Sequence, residues 1–215
     1  SNRRKNYRPE ADTGSPGRRY GKAALVNSCR VVDVSVISGA GLPQPGDMLM
    51  YEIASKLAVI TGGTRGIGLG IARHLLDAGG KVVINGRNAT EEADALQAEY
   101  GEDRVVIDLG DVSVPAEAAG LVERAAKQFG RVDILVHSAG GPVPGKIVDL
   151  TPEAWADAFA VHVHPVFHLF RAAHPWLAKE GGAVVLVSSV AGLRGCPGTV
   201  AYQTVKGSLI PLAKA

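Results

Sequence analysis

Tyr202 and Lys206 stand four residues apart, a spacing that on a helix places both on one face, one turn from each other. An ammonium beside a phenol favours the phenolate, drawing a tyrosine down from about 10 toward working pH. The pair therefore suits general acid–base work, with Tyr202 moving the proton. Upstream, Ser189 closes the apolar run GAVVLVSS. A hydroxyl at the C-terminal end of a buried strand can hydrogen-bond a carbonyl and stabilise charge developing on its oxygen. Together these side chains fit a carbonyl or alcohol as substrate.

A second set of residues suits a dinucleotide. The strand-like run KLAVIT passes directly into GGTRGIG, and a helix begins near Ile67. Gly62 permits a tight turn off the strand, Gly66 lets backbone approach a pyrophosphate, and Gly68 lets the helix pack closely on the sheet. The helix N-terminus would add N–H groups and positive dipole to the phosphates. Where the next strand ends, a site preferring NAD(H) would place an acid for the ribose 2′-hydroxyl. Gly86 stands there, followed by Arg87, and Arg65 projects from the glycine loop. Two guanidinium groups can clamp a 2′-phosphate, so NADP(H) is expected over NAD(H).

The elements that must hold these groups follow in alternation. KLAVIT, KVVIN, RVVIDL, VDILVHSAG and GAVVLVSS read as strands. Between them lie helical patterns at 67–79, 90–100, 115–130 and a long one from Pro152 to about Lys179, with a last helix from about Val200. Alternating strands and helices, with continuous Val/Ile/Leu runs, predict an α/β, doubly wound parallel sheet buried on both faces.

Composition agrees with one such domain. The chain has 215 residues, 46% hydrophobic and 20% charged, and no run of apolar residues long enough to span a bilayer. Cys29 and Cys196 match no metal or disulfide pattern, so a reducing compartment is expected. The net charge is +2, yet residues 1–22 carry seven basic side chains against two acidic ones, leaving the remainder acidic. An acidic body disfavours nucleic acid as a partner. Residues 1–49 read as a disordered extension and 50–215 as the folded domain, since Met48 and Met50 immediately precede the first regular hydrophobic pattern. VVDVSVIS at 31–38 could form a short strand but has no neighbour in sequence to pair with. A transit peptide is the rival reading of the basic N-terminus, disfavoured by Glu10 and Asp12, so a cytoplasmic location is expected.

From Lys56 to the last residue the chain resembles the short-chain dehydrogenase/reductase family, among it the carbonyl and 3-oxoacyl-thioester reductases. TGGTRGIG resembles its cofactor loop, which implies Thr61, Gly62, Thr64, Arg65, Gly66, Ile67 and Gly68 as cofactor-binding. Asp111 and Val112 are similar to the family's adenine-contacting pair, and HSAG to its Asn-Asn-Ala-Gly segment, which adds Ser138, Ala139 and Gly140. Ser189 and YQTVK resemble the serine and the Tyr-x-x-x-Lys of the family. The resemblance implies a Rossmann-type sheet, Lys206 gripping the nicotinamide ribose, and Arg87 as a further cofactor contact. It also implies hydride transfer between NADP(H) and a small-molecule carbonyl or secondary alcohol. Homo-oligomers through the Pro152 helix and the Tyr202 helix are expected of the complete family member.

Three departures cluster near this site. His162 takes the place of the family's asparagine in the long helix, an amide whose role is to hold a water relay to the lysine. His137 and Ser138 replace two bracing amides, and Pro165 should kink the helix by removing a donor. His164 and His168 stand one turn apart beside His162, but no Cys, Asp or Glu completes a metal set in that helix, and no metal is expected. The family continues past the residue matching Ala215 with further strands and a segment that closes over substrate. The expected sheet is accordingly incomplete at its C-terminal edge, with GAVVLVSS as an apolar edge. The alternative function is a non-catalytic NADP(H)-binding remnant or scaffold.

Overall fold

A computed structural model describes residues 34–35 and 53–215. Five strands form a parallel sheet: β2 (Leu57–Thr61), β3 (Lys81–Gly86), β4 (Val105–Leu109), β5 (Ile134–His137) and β6 (Ala183–Leu186). A two-residue strand, β1 (Val34–Ser35), joins the edge antiparallel, giving the order β1-β6-β5-β2-β3-β4. The chain thus runs outward from β2 through β3 to β4, then returns to the other side of β2 for β5 and β6. The reversal between β2 and β5 is the switch point at which doubly wound sheets bind ligands.

Alternation along each strand feeds two apolar layers. Leu57 and Val59 face one side, with Leu135, Leu121, Val122 and Leu169, under helices α3 (Pro115–Phe129) and α5 (His164–Glu180). Ala58 and Ile60 face the other, with Ala72, Leu76 and Leu96, under α1 (Gly66–Asp77) and α2 (Glu91–Tyr100). The start of the sheet is braced by Asp133, whose carboxylate accepts from the Leu57 N–H at 2.8 Å and from both arms of Arg131 at 2.6 and 2.7 Å, with Lys56 at 3.5 Å. Burial pushes this carboxyl up, but those donors and charges outweigh it and hold it below the usual range.

Two expectations need correction. The long helix is two, α4 (Pro152–His162) and α5, parted at Val163, so Pro165 breaks the helix and does not merely kink it. The β6 edge is not left bare, because Val34 and Ser35 pair with Val185 and Val184. Val34 and Ser35 of that run therefore find their partners about 150 residues away, a pairing that local pattern cannot reveal. The remainder of 1–52, with its extension and targeting readings, Cys29 and Met50, lies outside the described residues.

Candidate active site

The glycine loop leaves the C-terminal end of β2. Gly62 has φ +63, and a Cβ there would press on Ala139 at 2.8 Å, so the turn also nests against the loop after β5. A Cβ on Gly68 would overlap the Gly62 carbonyl oxygen, so α1 can begin this close only with glycine. At Gly66, φ +58, nothing stands within 4 Å of a Cβ. Backbone is therefore bare to an approaching group at the start of α1, whose N-cap, Arg65, makes no side-chain cap. This cradle fits a pyrophosphate, with the uncapped N–H groups of α1 as donors.

Thr64 is buried against Gly86, where a Cβ would overlap its hydroxyl, and Thr90 donates to the Thr64 carbonyl at 2.6 Å. Any side chain at position 86 would press on the Thr64 side chain, which would have to shift. Arg65 and Arg87 are exposed and enter no ion pair among the described residues, and Ile67 beside them is 42% exposed. Beyond β4, Asp111 accepts from the Ser113 N–H at 2.9 Å; Ser113, then the nearby Arg87 charge, hold its carboxyl below the usual range. Val112 next to it is buried in the core beneath that loop. Asn85, which the sequence did not single out, donates to Asp108 and Gly110 carbonyls and braces the turn that carries Asp111. A buried asparagine ending an apolar run was its only signal.

Helix α7 (Val200–Leu212) carries Tyr202 and Lys206, as the spacing predicted. Lys206 is 5% exposed and its ammonium donates to the Val187 carbonyl at 2.8 Å, a contact invisible in the sequence because the acceptor is backbone. Ser188 donates to the Lys206 carbonyl at 2.6 Å, tying the end of β6 to the helix. Ser189 N-caps α6 (Val190–Arg194), accepting from the Ala191 N–H at 3.2 Å. The short α6 crosses α7 where Gly192 meets Gly207, since a Cβ on Gly192 would stand 2.6 Å from the Gly207 nitrogen. Sequence reading passed over α6, Gly192 and Gly207.

His162 ends α4, 1% exposed, its ring edge-on to Tyr202 with centroids 5.8 Å apart. A Cβ on Gly140 would overlap this ring, which is why the Ser138-Ala139-Gly140 loop can lie over it. The His162 Nε2 lies 3.1 Å from the Gly141 carbonyl and 3.4 Å from the Gly141 N–H, while the buried Nδ1 has no hydrogen-bond partner. Burial, then the Lys206 charge, pushes His162 down to about 4 and His137 to about 3, so both rings are neutral. His164 and His168 turn instead to aromatic neighbours, Phe159 and Phe167. Among the described residues, no three His, Cys, Asp or Glu side chains converge as a metal would require.

The glycine cradle, the exposed arginines, Tyr202, Lys206 and Ser189 thus occupy the C-terminal ends of the strands on both sides of the switch point. Fold and site define a doubly wound α/β protein whose glycine loop at the switch point fits a dinucleotide. Residues 56–215 match the family model of short chain dehydrogenase, and the chain belongs to that family.

It is 34% identical over 175 residues to a dehydrogenase/reductase SDR family member 4 of Caenorhabditis elegans, covering 80% of this chain and 66% of that one. It is 37% identical over 164 residues to a D-beta-hydroxybutyrate dehydrogenase of Rhizobium meliloti, covering 74% and 64%. A short-chain dehydrogenase structure from Streptomyces avermitilis superposes with TM-score 0.70 at 31% identity, covering 75% of this chain and 59% of that one. The chain spans less than two thirds of the length of these proteins. No helix among the described residues is long and apolar enough to cross a membrane.

Proposed function

We propose that this chain carries the cofactor cradle and proton-transfer helix of an NADP(H)-dependent carbonyl reductase or secondary alcohol dehydrogenase. The observation that carries the reading is the meeting of Tyr202 on α7 with the loop after β5 through His162, one switch point away from the bare backbone of Gly66. Thr61, Gly62, Thr64, Gly66, Ile67 and Gly68 would seat the pyrophosphate side. Arg65 and Arg87 would take a 2′-phosphate, and Asp111 and Val112 the adenine. Ser138, Ala139 and Gly140, with Lys206, would border the nicotinamide ribose. When bound, the nicotinamide ring supplies or accepts the hydride.

Tyr202 then gives its phenolic proton to the substrate oxygen in reduction and takes it back in oxidation. Ser189 hydrogen-bonds that oxygen as charge develops on it, and Lys206, its ammonium held by the Val187 carbonyl, borders the nicotinamide ribose. The neutral His162 stands where the family has an amide, so proton resupply to Tyr202 runs past an imidazole. Association of copies through α4, α5 and α7 belongs to the same proposal.

The test is NADPH oxidation over a panel of ketones and 3-oxoacyl thioesters. Tyr202→Phe should lower kcat at least a thousandfold while NADPH still binds within threefold of the parent. Turnover that survives the change rejects Tyr202 as the acid. Tight NADPH binding without turnover by the parent chain supports the binding-scaffold alternative, which the substitution of His162 for an amide favours.

A further inference from the structure

The gap between α4 and α5 exposes a backbone oxygen that must be satisfied. Pro165 has no N–H to return to the preceding turn, and its ring turns the residues before it out of regular helix. Val166 N–H accordingly bonds to the Val163 carbonyl at 3.1 Å, one residue nearer than an α-helix would require. The His162 carbonyl is released. It faces the protein interior, where an unpaired acceptor is costly.

His137, fully buried at the end of β5, meets that oxygen with Nε2 at 3.1 Å. Its other nitrogen, Nδ1, lies 2.9 Å from the Thr61 hydroxyl. That hydroxyl oxygen already accepts from the Ser138 and Ala139 N–H groups, both at 3.2 Å, so its own proton goes to Nδ1. Nδ1 is thus the acceptor and Nε2 carries the ring's proton. One neutral imidazole, in one tautomer, spans from the start of the glycine loop to the break between two helices.

We propose that His137 is a positioning residue paired with Pro165: the proline frees the His162 carbonyl, and the Nε2–H of His137 holds it. Through that carbonyl His137 sets where the His162 ring lies under Gly140 and against Tyr202. An asparagine at 137 could serve Thr61 but is too short to reach the helix break. A continuous α4–α5 helix would leave His137 no free carbonyl to hold. The two departures make structural sense together and not singly. Their effect on catalysis rests on the function proposed above, whereas the bond network does not.

The network is tested on the full chain without any activity. Long-range ¹H–¹⁵N spectra at pH 7 should give His137 as a fixed Nε2–H tautomer; an Nδ1–H tautomer, or rapid exchange between the two, overturns the proposal. In urea unfolding, His137→Phe should lower the folding equilibrium constant more than tenfold in the native background. In a Pro165→Ala background, where Val166 N–H can reach the His162 carbonyl, the loss should be at least threefold smaller, the Thr61 contact being lost in both; equal losses in both backgrounds overturn the pairing. If turnover is present, His137→Asn should lower kcat with KM for NADPH unchanged, and His137→Gln, which keeps a donor near the Nε2 position, should restore at least a third of it. Equal kcat in the two variants overturns the positioning role, while the spectra still decide the network.

Discussion

At the scale of single residues, what the site needs most is the absence of side chains at Gly62, Gly66 and Gly68. Gly68→Ala should abolish NADPH binding, because the methyl group and the Gly62 carbonyl cannot share their space and the loop must open; equilibrium dialysis checks it, and unchanged affinity would mean the loop adapts freely. Arg87 belongs to the same scale. Arg87→Ala should weaken NADPH roughly tenfold and NADH less than twofold, as removal of one phosphate contact implies, read by competitive fluorescence titration. The sequence made Tyr202, Lys206 and the glycines legible because their spacing is itself the chemistry. It hid the Lys206 contact with Val187 and the Gly86 contact with Thr64, since nothing local in the chain announces which backbone or side chain will stand opposite.

At the scale of elements, the site depends on strands whose N-terminal ends are clamped far from it. Asp133 ties β5 to β2 by taking the Leu57 N–H and the Arg131 guanidinium within a buried setting. Asp133→Ala should cost about 3 kcal/mol, because Arg131, Lys56 and the Leu57 amide all lose an anionic partner at once; the shift in urea midpoint measures it. The strands and α1, α2, α3 and α7 were readable from periodicity, which reports burial directly. The short α6 was not, since five residues carry too little period. The α4–α5 break was half readable: Pro165 marks the place, but His137, which completes it, comes from a strand 25 residues away.

At the scale of the whole molecule, acid stability follows from two imidazoles kept neutral inside. Both fold with values lowered from 6.5, His162 to about 4 and His137 to about 3, so the unfolded chain binds more protons than the folded one below pH 6.5. Stability is full above that pH and falls as pH drops toward 4, by roughly 2 kcal/mol from each ring at pH 5. Urea midpoints from pH 8 to 5 test this, and His162→Asn should remove about half of the slope. The parallel sheet and its switch point were implied by the alternation of elements, but the sixth strand could not be, because Val34 pairs across about 150 residues. The dinucleotide cradle around Gly66, with Arg65 and Arg87 exposed nearby, is proposed to prefer a 2′-phosphate. Isothermal titration of NADPH and NADH into the full chain tests it most directly: one NADPH per chain at least tenfold tighter than NADH is the predicted result, and no binding, or equal affinity for the two, would contradict it.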